Sequence, residues 1–228
     1  MAAGAGRRTI ASESQLGSSC KPIENAISSR RQTIERVIAS TALITAATAR
    51  IPVVNAAYLD PSSIKITQRA YLDVIVQPGG EKQRITIGLY GDAMPRTVDN
   101  FVGLCRENSY AGTTFYRVLS DYTIQGGAIG DGTGKTGRSA GGEPFEPDNY
   151  NIRHNVLGLV SMVRTVSGAA DSRFFISCVE DAGWADDRYA AFGIVENMDV
   201  VRQIEKVDVK RPLNAPKEPV QIVASGLL

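Results

Sequence analysis

One histidine and three cysteines in 228 residues leave little material for metal or nucleophilic chemistry. A zinc site draws on clustered Cys and His ligands. The chain has no CxxC, and its lone His154 stands in a polar stretch, Asn151-Ile152-Arg153-His154-Asn155, that reads as a surface loop. No Ser or Cys lies at a spacing that pairs it with that histidine as a nucleophile. The neighbouring Asp186 and Asp187 read as turn residues, not as an acid/base pair. Three cysteines are too few for a disulfide framework. Cys105 and Cys178 are flanked by core-like residues and read as buried free thiols. Long apolar runs are missing too: Val37 to Ala49 falls short of the roughly 20 residues that span a bilayer. The net charge is only +1, with the basic surplus in residues 1–57 (+4) and the remainder at −3. Nucleic-acid binding would want that surplus on the folded part.

What the N-terminal part does have is leader chemistry. Residues 1–28 are rich in Ser and Ala and poor in acids, as plastid transit peptides are. Arg30-Arg31 then precedes an apolar, small-residue run of signal length, with small residues at Ala47-Thr48-Ala49 and Val54-Asn55-Ala56-Ala57. Residues 1–57 therefore read as a bipartite leader with a twin-arginine signal, addressed to the chloroplast thylakoid lumen. A bacterial periplasmic signal and an N-terminal amphipathic helix of the fold are the alternatives. Residues 58–70 read as a connector and 71–228 as the folded domain.

In that domain period-two runs dominate. Strands are predicted at Tyr71–Val76, Arg84–Tyr90, Thr114–Leu119, Val156–Met162, Phe174–Val179, Ala190–Val195 and Pro219–Val223. A helix begins near Pro95, a residue suited to a first turn, and carries the stripe Val98, Phe101, Val102 and Cys105. A second, shorter helix is marked by Met198, Val201, Ile204 and Glu205. Many strands and two helices require an antiparallel sheet that closes or sandwiches. Alternation from Phe115 puts Arg117 on one face with Phe115 and Leu119, an odd place for a charge. The glycine-rich stretch from Gly126 to Gly142 resembles a phosphate loop at Asp131-Gly132-Thr133-Gly134-Lys135-Thr136. The P-loop pattern wants a glycine where Ile129 stands, and no helix follows to make a dinucleotide turn. The loop's glycines read as suppliers of positive φ.

Taken together, Phe115-x-Arg117, Gln125-Gly126-Gly127, Asp131-Gly132-Thr133-Gly134, Gly158-Leu159-Val160-Ser161-Met162, Ser172-x-Phe174-Phe175-Ile176, Trp184 and Phe192-Gly193-x-Val195 resemble the cyclophilin-type peptidyl-prolyl cis-trans isomerases, in order and spacing. The resemblance covers about Tyr71 to Leu228. It implies a mainly β fold, a closed eight-stranded antiparallel barrel capped by two α-helices. It implies Arg117 and Gln125 as catalytic residues, with Phe175 as the floor of a proline pocket and Trp184 lining the groove. Tyr122, Thr123, Arg164, Thr165, Arg173, Ala185 and Tyr189 complete the substrate-binding set. At these seven positions the chain departs from the family's usual Phe, Met, Asn, Ala, Gln, Leu and His respectively. The implied partners are Pro-containing polypeptide clients and the cyclic peptide cyclosporin, met by a monomer without metal or cofactor. The altered pocket predicts a slow or narrowly selective isomerase. A module that holds Pro-containing segments without turning them over is the alternative.

Overall fold

A computed structural model describes residues 57–228, so the leader reading lies outside the described residues. Ten strands and two α-helices follow in order: β1 (Gln68–Ile75), β2 (Lys82–Leu89), α1 (Pro95–Arg106), β3 (Arg117–Leu119), β4 (Thr123–Gly126), β5 (Leu159–Arg164), β6 (Ala170–Ser177), β7 (Ala191–Val195), α2 (Asp199–Glu205), β8 (Val209–Lys210), β9 (Ala215–Pro216) and β10 (Gln221–Leu227). Eight strands form one antiparallel sheet in the order β10-β1-β2-β7-β5-β6-β4-β3, and β8 pairs with β9 apart from it. The connector residues Gln68–Ala70 belong to β1, which pairs from Gln68 to Ile75 with β2.

Each strand turns one of its two faces to a core packed inside the curved sheet. Ile85, Ile87, Leu89, Ile124, Phe174, Ile176 and Phe192 are all fully buried there. Phe174 stands edge-on to Phe101, Tyr110 and Phe115, with centroids 5.7 to 6.1 Å apart. Helix α1 sends Val98, Phe101, Val102 and Cys105 into this core, the stripe that its sequence announced. Its start has no cap of its own. Instead Asp148, from a distant loop, accepts from the backbone N–H of Arg96 (3.0 Å) and Thr97 (2.9 Å). A carboxylate there satisfies orphan amides and complements the helix dipole. No described helix is long and apolar enough to cross a membrane.

Two expectations need correction. The sheet is not a closed barrel: β3 and β10 end the strand order without pairing with each other. The seam is spanned only by a bridge between Thr114 and Gln221 and by backbone bonds from Gly112 to Ile222 (2.8 Å), Ile222 to Thr113 (2.9 Å) and Phe115 to Val220 (2.9 Å). The expected strand Thr114–Leu119 is also broken. Its first part pairs with β10, and from Arg117 it pairs with β4. Changing partners requires an irregular step at Tyr116. Phe115 and Val118 therefore both turn inward, while Arg117 is exposed. The face shared by Phe115 and Arg117, which strict alternation required, does not exist. β4, whose short run Thr123-Ile124-Gln125-Gly126 was hidden between turn residues, completes the eight.

Candidate active site

Four strands place one row of side chains. Arg117 on β3 lies opposite Gln125 on β4. Gln125 lies opposite Phe175 on β6. Phe175 lies opposite Ser161 on β5. Directly opposed residues share a face, and strands are about 4.8 Å apart, so Arg117 stands about 10 Å from Phe175 across Gln125. The row lies on the outer face of the sheet, because its neighbours Ile124, Phe174, Ile176 and Val160 point to the core. Arg117 is exposed, and no described side chain pairs with its guanidinium. A cation with unengaged donors thus stands at one end of a row whose other end is dry.

The dry end is an aromatic cluster. Phe175 is only 2% exposed. Tyr189 meets it edge-on at 5.2 Å, Trp184 lies at 5.8 Å, and Tyr122 stacks on Trp184 at 4.7 Å with 22° between the rings. Burial, with Tyr189 beside it, raises the pKa of the Tyr122 hydroxyl, against the pull of Arg117. Thr123 and Ala185 are fully buried. Thr123 Oγ1 and Trp184 Nε1 are both buried without a hydrogen-bond partner, a costly condition that they share with the hydroxyls of Tyr90 and Tyr116.

His154 is not the surface residue that its polar neighbours promised. It is 1% exposed, and its ring is nearly parallel to that of Phe175 at 6.3 Å. Its Nε2 lies 2.8 Å from Ser161 Oγ and its Nδ1 3.1 Å from Asp186 Oδ1. Asp186 also accepts the His154 backbone N–H at 2.8 Å, and Ala182 N–H donates to the His154 carbonyl at 2.7 Å. The turn Gly183–Ala185 that carries Trp184 is thereby tied to the histidine. Asp, His and Ser in this order look like a hydrolytic set, but Ser161 is fully buried beside Phe175. No acyl carbon reaches it. The trio instead braces the pocket floor, with the His154 ring nearly parallel to the Phe175 ring. Burial lowers the His154 pKa, against the pull of Asp186.

The remaining predicted residues lie further out. Arg173, two residues before Phe175 on the same face, is 6% exposed. Its guanidinium grips Asp171 and donates Nη1 to the carbonyls of Gly134 (2.8 Å) and Lys135 (2.9 Å). It is a latch on the glycine loop, with its charge answered. The loop needs its glycine at 134: φ is +82°, and a Cβ would fall 2.3 Å from the Tyr116 ring. Arg164 ends β5, and Thr165 opens the turn to β6. Arg164 Nε donates to the Gly168 carbonyl (3.1 Å) and its head lies 5.9 Å from the Tyr150 ring. Neither has a contact that joins it to the row.

No role at the site was read from sequence for His154, Ser161, Asp186 or Glu205. Glu205 is buried in α2 and accepts from Asp121 N–H (3.0 Å) and Arg202 (2.6 Å), while Cys178 N–H donates to the Tyr122 carbonyl (3.0 Å). These bonds fix the turn that presents Tyr122. A lone acid on the inner face of a short helix was the signal available for Glu205. Cys105 and Cys178 are free and buried, as read from sequence. Burial pushes the Cys105 thiol up to about 12 and Cys178 higher still, so both are poor nucleophiles. Among the described residues no group of three His, Cys, Asp or Glu is placed to hold a metal ion.

The family model for "Cyclophilin type peptidyl-prolyl cis-trans isomerase/CLD" matches residues 71–227. Peptidyl-prolyl cis-trans isomerase B of Saccharomyces cerevisiae is 36% identical over 174 residues, 74% of this chain and 83% of that protein. A peptidyl-prolyl cis-trans isomerase of Arabidopsis thaliana is 38% identical over 152 residues, 62% of this chain and 67% of that protein. Isomerase D of Saccharomyces cerevisiae is 36% identical over 171 residues, 72% and 74% of the two chains.

Proposed function

The chain belongs to the cyclophilin-type peptidyl-prolyl cis-trans isomerase family, and from that premise we propose that it rotates X-Pro bonds of protein clients by donation from Arg117. The single observation that carries this reading is the row Arg117, Gln125, Phe175. Amide rotation costs about 18–20 kcal/mol because resonance is broken, while cis and trans X-Pro differ by only about 0.5–1 kcal/mol. The barrier alone has to be lowered. In the twisted state the proline nitrogen regains its lone pair and accepts a hydrogen bond that the planar amide does not. A donor aimed there binds the transition state better than the ground state. An arginine side chain suits this role, because it always carries donors and need exchange no proton. Gln125, between it and Phe175, holds the substrate backbone or the guanidinium. Phe175 receives the proline ring, and dry aromatic walls strengthen the donation.

Exchange NMR on an X-Pro peptide tests this. Wild type is expected to speed cis/trans exchange, and Arg117→Ala to lose about 2.7–4 kcal/mol of that acceleration. Equal rates would remove Arg117 from the mechanism. The second reading, a holder of Pro-containing segments without turnover, draws on the 2% exposure of Phe175. It predicts saturable binding with no exchange. In the same spirit we propose Trp184 Nε1, which lacks a partner, as a donor to a carbonyl of a client or of cyclosporin, and a monomer as the working state. For residues 1–57 the proposal remains a thylakoid-lumen leader, supported by Arg30-Arg31 and the run that follows. The mass of the mature protein checks it.

A further inference from the structure

A second concave surface lies against Arg117, away from the aromatic cluster. It is a cavity of about 750 Å3, and Arg117 and Gln125 form part of its lining. The facing wall is the β8–β9 hairpin with the residues after it, including Leu213, Pro216 and Pro219. The hairpin is held at a fixed distance from Arg117, because Val118 N–H, next in sequence, donates to the Asn214 carbonyl at 2.8 Å. The floor includes Phe115, and the glycine loop latched by Arg173 closes a third side.

The charge on this surface has one sign. Its lining carries Arg117, Lys135 and Lys217 and no carboxylate. Lys217 Nζ lies 3.1 Å from Asp208 Oδ2, but both side chains are more than half exposed, and such pairs are weak enough to exchange partners. Leu213 is 75% exposed on the wall, a large apolar side chain with nothing described against it. Continuity with Arg117 decides what sits here. A polypeptide whose X-Pro bond meets Arg117 and Gln125 continues past them, and this groove adjoins both.

We infer that the groove between β3 and the β8–β9 hairpin is an extension subsite for client residues flanking the proline, selective for acidic and apolar side chains. The inference rests on the reading of Arg117 and Gln125 as the X-Pro site. The rim cations attract carboxylates, and the proline-rich wall, whose backbone is already restrained, receives an apolar side chain at little ordering cost.

The experiment uses the full chain and synthetic peptides: a short Ala-Pro peptide, and longer ones with Glu-, Lys- or Ser-containing flanks. Exchange rates and calorimetric affinities are measured for each. Glu flanks are expected to be favoured over Lys flanks by about two- to five-fold per cation engaged, with the difference in KM. Lys135→Glu is expected to reverse that preference while the short peptide's rate stays unchanged. Leu213→Asp is expected to weaken only the longer peptides. Equal affinities for Glu and Lys flanks would overturn the inference, even with the short peptide turned over. A flank preference in affinity without exchange would sustain the subsite and sink the catalytic reading alone. A dimer in sedimentation that Leu213→Asp dissolves, with no flank preference, would seat a second copy in the groove and overturn the subsite.

Discussion

Arg173 Nη2 lies 2.7 Å from Asp171 Oδ2, two residues along the same face of β6, and both side chains are nearly buried. The Arg173 guanidinium was expected to meet substrate, yet its donors are taken by Asp171 and by the loop carbonyls at Gly134 and Lys135. Removing one partner strands the other charge out of water. Arg173→Leu is expected to cost about 3–5 kcal/mol in denaturant unfolding. The double variant with Asp171→Ala is expected to lose less than the two single losses summed, and full additivity would show that the pair is uncoupled.

Thr123 presents the opposite case, a hydroxyl with no partner at 0% exposure. Thr123→Val keeps the shape and removes the unpaired group. It is expected to raise the unfolding free energy by about 1 kcal/mol. A loss of stability would mean that the hydroxyl is satisfied in solution.

The pH dependence turns on His154. Burial holds its folded pKa below the ordinary 6.5, so the unfolded chain takes up the proton first. Stability is therefore full above that ordinary value and declines as pH falls through it toward the lower folded pKa, by at most about 1.4 kcal/mol per pH unit. Urea midpoints across this range measure the slope. His154→Gln is expected to flatten it, and an unchanged slope would assign the effect to other groups.

Trp184 is the single tryptophan of the chain, and Tyr122 stacks on it. Emission excited at the red edge of the indole band, where the eight tyrosines do not absorb, therefore reports on this one ring and its surroundings. Tyr122→Leu is expected to change the emission of the free protein. Titration with an X-Pro peptide is expected to change it saturably in wild type, because a proline ring reaches Phe175 only when the rings give way. A silent titration alongside measurable binding would place the peptide elsewhere.

Arg117→Lys separates charge from shape. A lysine keeps the cation and loses the planar fork. Most of the roughly 10²–10³-fold loss expected on removing a transition-state donor should remain. Stability should change little, because Arg117 is exposed. Full activity in the lysine variant would reduce the role of Arg117 to electrostatic attraction.

The strands with long alternating runs and the α1 stripe were legible in the sequence, because burial on one face writes a period into the chain. β4 was not: four residues between turns carry too short a period. The break at Tyr116 was equally hidden, since it comes from a change of pairing partner many residues away. Of the site, Arg117, Gln125, Phe175 and Trp184 were legible from their order. His154 was misread because its neighbours Asn151, Arg153 and Asn155 are polar, and its own burial depends on Ser161 and Asp186 arriving from elsewhere. Arg173 was legible as a departure, though its purpose depended on Asp171 and on the carbonyls that it meets.

The seam between Thr113–Phe115 and Val220–Ile222 has a consequence for biosynthesis. Thr113, Thr114 and Phe115, just before Arg117, take their positions from a segment made more than a hundred residues later. β10 is itself the other edge of the same sheet, paired along β1. While the chain is still emerging from the ribosome, Arg117 lacks the seam that holds Phe115 in place beside it. Catalytic competence should appear abruptly, once the segment through Ile222 has cleared the exit tunnel, and not in proportion to the length already made.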